Sequence, residues 1–118
     1  LMAADVARLS GHPQLAVDPL VRLVSKHRTD ARAGLAAFTL GRLYLGELGR
    51  PRDAAHAFAD VRRIDPGSPL AEDALVREVE AYARAGDVAI ARERAAEYVR
   101  RHPSGRRIEE MRRRAGGG

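Results

Sequence analysis

Apolar and polar positions alternate along this chain with the spacing of amphipathic α-helices. In residues 37–44, the apolar positions Ala37, Leu40, Gly41 and Tyr44 share one face of a helix. On a second segment, Ala54 and Phe58 share a face in the same way. Gly41 and Ala54 carry little side-chain volume, so two helix backbones can approach closely there. The larger residues fill the space on either side, and the pattern predicts an antiparallel pair of helices. No stretch shows the period-two alternation of a β-strand.

Turn and capping residues divide the chain into seven predicted helical segments, which cover residues 2–9, 14–27, 31–48, 52–64, 69–85, 88–101 and 104–114. Side-chain oxygens that can cap the helices following them belong to Asp30, Ser68, Asp87 and Ser104. Pro19 lies inside the second segment. There we expect it to remove a helix hydrogen bond and to kink the helix.

Several residue types recur along the chain with one period. Gly11, Gly49 and Gly86 are spaced by 38 and 37 residues, and the same two spacings separate Ala16, Ala54 and Ala91. These markers predict a single domain over residues 1–115 that is built from helix pairs. Its expected parts are a partial repeat 1–28, repeats 29–66 and 67–103, and a capping helix 104–115. We expect residues 116–118, a glycine tail, to be disordered.

The repeat resembles the tetratricopeptide repeat (TPR), whose signature is Trp-x2-Leu-Gly-x2-Tyr, then Ala-x3-Phe, then Pro. Repeat 29–66 has Ala37 at the Trp place and matches the signature at Leu40, Gly41, Tyr44, Ala54, Phe58 and Pro66. Repeat 67–103 keeps Tyr82, Ala91 and Pro103, and its other signature places hold Leu75, Glu78, Val79 and Ala95. The resemblance implies an all-α fold. It implies a right-handed superhelical array of antiparallel helix hairpins, with about two and a half repeats and a C-terminal capping helix.

The period is longer than the usual repeat of about 34 residues. The longer period and the junctions at residues 66–75 and 101–105 resemble the bacterial cell-envelope branch of the family. That branch includes Tol-Pal-associated periplasmic proteins, outer-membrane-assembly lipoproteins and the C-terminal repeats of FecR-type envelope signalling proteins. The resemblance implies a periplasmic or envelope-associated location. The residues themselves also allow a cytoplasmic one.

In this family the first helix of each pair lines a concave surface that binds peptides. The resemblance places eight residues on that surface: Leu35, Phe38, Arg42, Leu45, Asp73, Val76, Glu80 and Arg84. Apolar members would supply contact area, and charged members would set the register of an extended or helical peptide. The alternative is that Phe38 and Leu45 pack against neighbouring repeats and that the charged residues pair with each other.

The net charge of +5 comes from one end of the chain. Residues 1–99 hold 14 basic and 14 acidic side chains, so this part is neutral. The basic patch consists of Arg100, Arg101, Arg106, Arg107, Arg112, Arg113 and Arg114. It could bind phosphate groups on nucleic acid or on an anionic membrane. Tyr98, the aromatic residue nearest the patch, lies on a helix expected to be packed, which argues against nucleic acid. A solvated capping helix is the other interpretation.

Nothing in the sequence indicates catalysis. The absence of cysteine excludes disulfides, thiolate metal sites and cysteine nucleophiles. No two of the four histidines have the i, i+4 spacing of metal ligands on one helix face, and there is no Gly-x-Ser-x-Gly motif or glycine-rich phosphate loop. We therefore expect no metal, no cofactor and no enzyme activity. No apolar run reaches the length of about 18 residues that a membrane span needs.

The sequence thus predicts a non-catalytic protein–protein interaction scaffold with a protein or peptide partner. A second hypothesis is a regulatory module that self-associates through the ends of the array, with Leu9, Val17 and Val21 on the exposed face. A third is anion or nucleic-acid binding through the basic patch. The chain opens in helix-like sequence and closes on three glycines, so we expect it to be a piece of a longer protein.

Overall fold

A computed structural model describes residues 11–26 and 30–117, and within these ranges the chain is all-helical with no strand. Six α-helices follow one another: α1 Val17–Lys26, α2 Ala31–Leu45, α3 Pro51–Ile64, α4 Ala71–Arg84, α5 Val88–Arg101 and α6 Ile108–Arg112. A 3-10 turn, Pro13–Ala16, precedes α1, and a π-helical turn, Arg113–Gly117, follows α6. The predicted all-α class is confirmed. The predicted helix at residues 2–9 and residue 118 of the glycine tail lie outside the described residues.

Most predicted helices are present, and the differences arise at turns. Helix α2 ends at Leu45 because residues 46–50 form a turn. Helix α4 begins at Ala71, two residues later than predicted, since Ser68 accepts a hydrogen bond from the Leu70 N–H within a turn (3.1 Å). The predicted helix at 104–114 is shorter at its start, where residues 103–107 form turns and Ser104 makes no cap.

Of the four predicted N-caps, Asp30 is confirmed, Ser68 and Ser104 do not occupy the N-cap position of the helix that follows, and Asp87 has another role. The Asp30 carboxylate accepts from the Arg32 backbone N–H at 2.9 Å, as predicted. Asp87 occupies the N-cap position of α5, but its carboxylate accepts two hydrogen bonds from the Arg52 guanidinium, at 2.9 and 3.1 Å. The prediction for Pro19 is wrong. It is the third residue of α1, in the first turn, where backbone N–H groups lack partners within the helix.

The repeat period of the sequence corresponds to a recurring turn. Gly11, Gly49 and Gly86 have φ of 78, 59 and 85°, the left-handed region that glycine adopts most easily. In two of these turns a tyrosine carbonyl accepts the closing hydrogen bond. The Arg50 N–H donates to Tyr44 (2.6 Å), and the Asp87 N–H donates to Tyr82 (2.9 Å). A left-handed glycine therefore lies in the turn after α2 and in the turn after α4.

Each helix packs against the next helix in the sequence, and the π-helical turn folds back onto α5. The core has two clusters. The smaller one lies between α1, α2 and α3 and includes Ala16, Leu20, Ala36, Leu40, Leu43 and Ala57. The larger one runs from α2 to α6 and includes Phe58, Val61, Leu75, Val79, Tyr98 and Met111. Alanine is frequent in both clusters, which lets the helices approach closely.

The contact between α2 and α3 is closest at Gly41. The ring of Phe58 is fully buried against this glycine and meets the Phe38 ring edge to face, with 5.5 Å between ring centroids. Tyr44 is half-buried, and the Arg50 guanidinium lies 5.0 Å from the centre of its ring. These residues are packing residues.

Candidate interaction surface

The eight predicted surface residues do not form one continuous exposed groove. Phe38 and Val76 are buried, with 8% and 1% of their surface exposed, so their predicted outward orientation is wrong. Leu45 is half-buried and packs against the larger core cluster. The packing alternative therefore describes these three positions. Those that remain accessible are Leu35, Arg42 and Arg84, which are exposed, and Asp73 and Glu80, which are half-buried.

A residue outside the predicted set joins the two helices of this face. The guanidinium of Arg77 on α4 lies 5.4 Å from the ring centre of Phe38 on α2. Its Nε also donates to the Asp73 carboxylate at 3.0 Å. The i, i+4 spacing of Asp73 and Arg77 was visible in the sequence, whereas the contact with Phe38 joins two helices that are not neighbours in the sequence and depends on the tertiary structure.

A cleft of about 500 Å³ opens beside the first turn of α4. This α4 cleft is lined by Pro69, Leu70, Glu72, Asp73, Val76, Arg106 and Arg107. Two of these residues belong to the predicted peptide-binding face and two to the basic patch. The fold therefore brings together residues 69–76 and 106–107, which are 30 or more residues apart in the chain and which the sequence treats as independent.

Tyr98 holds one wall of the α4 cleft in place. Its fully buried hydroxyl donates to Glu72 Oε2 at 2.6 Å and accepts from the Arg107 backbone N–H at 3.1 Å. Burial raises the pKa of Tyr98, and the hydrogen bond to Glu72 raises it further, so the phenol remains a donor. The chain passes this point at Gly105, where a Cβ atom would come within 2.8 Å of Glu72 Oε2. His102 Nδ1 lies 3.8 Å from the other oxygen of Glu72.

Much of the basic patch is neutralised within the chain. Four of its seven arginines form ion pairs, namely Arg101 with Glu97, Arg112 with Glu109, and both Arg107 and Arg114 with Glu110. The hydrogen bond from Arg107 lowers the pKa of Glu110, so that carboxylate stays charged. Among the described residues, Arg100, Arg106 and Arg113 have no such pair. The positive charge available to a partner is smaller than the sequence suggests.

A buried ionic network lies on the inner side of α4. Glu78 is 1% exposed and accepts from Arg62 Nη2 at 2.6 Å and from Arg94 Nε at 3.0 Å. Arg62 also donates to Glu97 at 2.9 Å, while its own Nε is buried without a partner. This network joins α3, α4 and α5. Sequence reasoning missed it, although a glutamate at the Leu place of the repeat signature was a signal.

Metal and membrane sites are not evident in the described part of the chain. No three His, Asp or Glu side chains there come close enough to hold a metal ion. None of the helices combines the length and the apolar character that crossing a membrane requires.

Comparison with known proteins does not assign this chain to a family. No protein-family model matches this chain, and a search of curated proteins finds no match. The TPR resemblance therefore rests on the residues themselves.

Proposed function

We propose that this chain is a non-catalytic protein–protein interaction scaffold with TPR-type architecture. In this proposal α2 with α3 and α4 with α5 are successive antiparallel hairpins of a right-handed superhelical array. Helix α1 belongs to a partial first repeat, and α6 caps the array. The recurring left-handed glycine turns carry the proposal, because three of them keep the period of the sequence markers. The buried signature residues Leu40 and Phe58 support it as well.

The first helices of these hairpins, α2 and α4, would present the partner-binding face. Arg42 and Arg84 are exposed and form no ion pair among the described residues, and Leu35 leaves 48% of its surface exposed. Charged groups without internal partners are free to set the register of a peptide, and an exposed leucine offers apolar area. The α4 cleft continues this face at the start of α4.

The narrower part of the proposal concerns location. The junction sequences at residues 66–75 and 101–105 support a scaffold in a bacterial cell-envelope or signalling complex. Expression of the full-length protein with a C-terminal fluorescent or phosphatase reporter tests this point. Periplasmic phosphatase activity is expected, and cytoplasmic fluorescence without phosphatase activity would contradict the envelope assignment.

Selection of peptide ligands from a displayed random library tests the binding face. The double variant Arg42→Glu, Arg84→Glu should weaken binding of the selected peptides by at least about tenfold. The matched control is Arg22→Glu, Arg92→Glu, which reverses two exposed arginines on α1 and α5. Far-ultraviolet circular dichroism should be unchanged in both variants. Equal affinity of the two double variants would remove the assignment to this face.

A second candidate function is self-association through α1. Leu15 and Val21 leave 59% and 41% of their surface exposed, an apolar area at the start of the described chain. Val17 is half-buried against the smaller core cluster, and Leu9 lies outside the described residues. Sedimentation velocity at micromolar concentrations separates the two functions. A concentration-dependent dimer that Leu15→Glu with Val21→Glu abolishes supports self-association, and a strict monomer removes it.

A further inference from the structure

The α4 cleft contains one cation that has no ion-pair partner among the described residues. Its charged lining residues are Glu72, Asp73, Arg106 and Arg107. Three of them are engaged: Glu72 by the Tyr98 hydroxyl, Asp73 by Arg77, and Arg107 by Glu110. Arg106 is exposed and makes neither a hydrogen bond nor an ion pair among the described residues. Arg106 is therefore the cation of the cleft that has no ion-pair partner among the described residues.

Apolar surface lies beside that guanidinium. Pro69 is exposed and Leu70 is half-buried, and both line the cleft, while Val76 closes its floor from the core. A ligand that carried charge alone would leave this apolar surface in water. An apolar side chain placed there gains contact area in addition to the charge interaction.

The cleft is built before any ligand arrives. The Tyr98 hydroxyl ties Glu72 on α4 to the backbone of Arg107, so the segment that carries Arg106 is fixed relative to α4. A fixed wall lowers the conformational entropy lost on binding and favours recognition of a short segment.

We propose that the α4 cleft binds a partner segment in which Asp or Glu stands beside an apolar residue. The carboxylate pairs with Arg106, whose planar fork of donors matches a carboxylate, and the apolar side chain packs on Pro69 and Leu70. A basic segment is disfavoured because Arg106 repels a cation and the Asp73 carboxylate is already paired with Arg77. This inference rests on the proposed interaction function and narrows it to one partner chemistry.

Three capped peptides that differ at one position test the chemistry: acetyl-Leu-Ala-Glu-Leu-amide and its Gln and Lys counterparts. Each is titrated into the isotope-labelled 118-residue chain, and backbone amide shifts are followed by NMR. The Glu peptide is expected to shift amides of residues 69–76 and 104–108 and to bind at least about fivefold more tightly than the Gln peptide. Equal binding of the Glu and Lys peptides, or shifts confined to other helices, would overturn the inference.

Charge reversal gives the sharper test. Arg106→Glu should invert the preference, so that the Lys peptide binds more tightly than the Glu peptide. Arg113→Glu is the matched control, since Arg113 is also exposed and unpaired but lies in the π-helical turn outside the cleft. It should leave the preference within about twofold of the parent chain, because Arg113 does not line the cleft and salt screens exposed charges. An unchanged preference in Arg106→Glu, with helicity intact, would refute the role of Arg106.

The failure of this inference can be told apart from failure of the scaffold function. Library peptides that bind through Arg42 and Arg84 but leave the cleft amides unshifted would refute the cleft and keep the scaffold. If neither the library peptides nor the three designed peptides bind, both the scaffold function and the cleft inference are refuted.

Discussion

At the scale of single residues, Gly41 determines how closely α2 and α3 pack. A Cβ atom at this position would lie 2.5 Å from a carbon of the Phe58 ring. The ring is fully buried and held edge to face by Phe38, so it has little room to move. Gly34 is a useful contrast, because it lies in the same helix and a Cβ there would meet nothing within 4 Å.

We expect Gly41→Ala to lower the free energy of unfolding by about 1–3 kcal/mol, because overpacking displaces the Phe58 ring. Gly34→Ala should instead raise it by about 0.5–1 kcal/mol, since alanine favours the helix interior. Urea denaturation followed by circular dichroism measures both. If both variants lost a similar amount of unfolding free energy, the contact with Phe58 would not be the cause of the destabilisation.

At the scale of helices, the buried ionic network determines how α3, α4 and α5 are aligned. Glu78 receives hydrogen bonds from Arg62 on α3 and from Arg94 on α5. An ion pair of this kind adds little net stability over well-packed apolar side chains, but removing one member leaves a buried charge without a partner. The network therefore favours one register of the three helices.

Glu78→Gln should destabilise the chain by about 3 kcal/mol, because Arg62 and Arg94 lose the buried carboxylate that they share, and Arg62 keeps only its pair with Glu97. Asp60→Asn, which breaks the exposed pair with Arg63, should cost less than about 1 kcal/mol. The double variant Arg62→Met, Glu78→Leu should recover most of the loss. Thermal and urea unfolding of the four proteins checks this order, and equal losses for Glu78→Gln and Asp60→Asn would contradict it.

The docking of α6 should depend on pH through Glu110. The hydrogen bond from Arg107 holds the pKa of Glu110 below its ordinary value of 4.5. A carboxylate with a lowered pKa stabilises the fold above its unfolded-state pKa, and this contribution is lost as the pH falls through the folded-state pKa. We expect up to about 1 kcal/mol to disappear below pH 4.5.

NMR signals of Ile108 and Met111, recorded between pH 6 and pH 2.5, report this loss. Glu110→Gln should remove most of the pH dependence, while Glu109→Gln, at a carboxylate that is 75% exposed, should leave it in place. Identical titration curves in the two variants would exclude Glu110 as the group responsible.

At the scale of the whole molecule, each helix is stabilised mainly by its contacts with the helices next to it in the sequence. Helices pack mainly on their sequence neighbours. Where contacts are mainly between neighbours, we expect damage at one end to stay near that end. Met111 is the fully buried residue that anchors α6.

Met111→Ala should therefore increase amide hydrogen exchange in α6 and in the last turn of α5 by at least about tenfold, because a large buried side chain is lost. Amides of α2 and α3 should keep their protection within about twofold. Exchange mass spectrometry or NMR on the whole chain measures both regions. A uniform loss of protection in all helices would show a single cooperative unit instead.

Local residue patterns determined most of the fold. Amphipathic spacing and capping residues specify individual helices through interactions within a few residues, so the range of α5 and the cap at Asp30 could be predicted. The turns at the recurring glycines could be predicted for the same reason, since a left-handed backbone conformation is required at a single residue. The predictions for Pro19 and Ser104 failed because the first residue of a helix can shift by a few positions at little cost in free energy.

What the sequence determined by itself was the all-α class, the order of the helices and the repeat of their turns. Only the tertiary structure decided which side chains of distant segments meet. Arg107 and Glu110 pair through local i, i+3 spacing, whereas the position of Arg106 at the α4 cleft depends on the fold. Glu72 and Tyr98 meet across 26 residues, and Phe38 packs in the core beside Arg77. Contacts of this kind and burial depend on distances between helices, and those distances follow from packing.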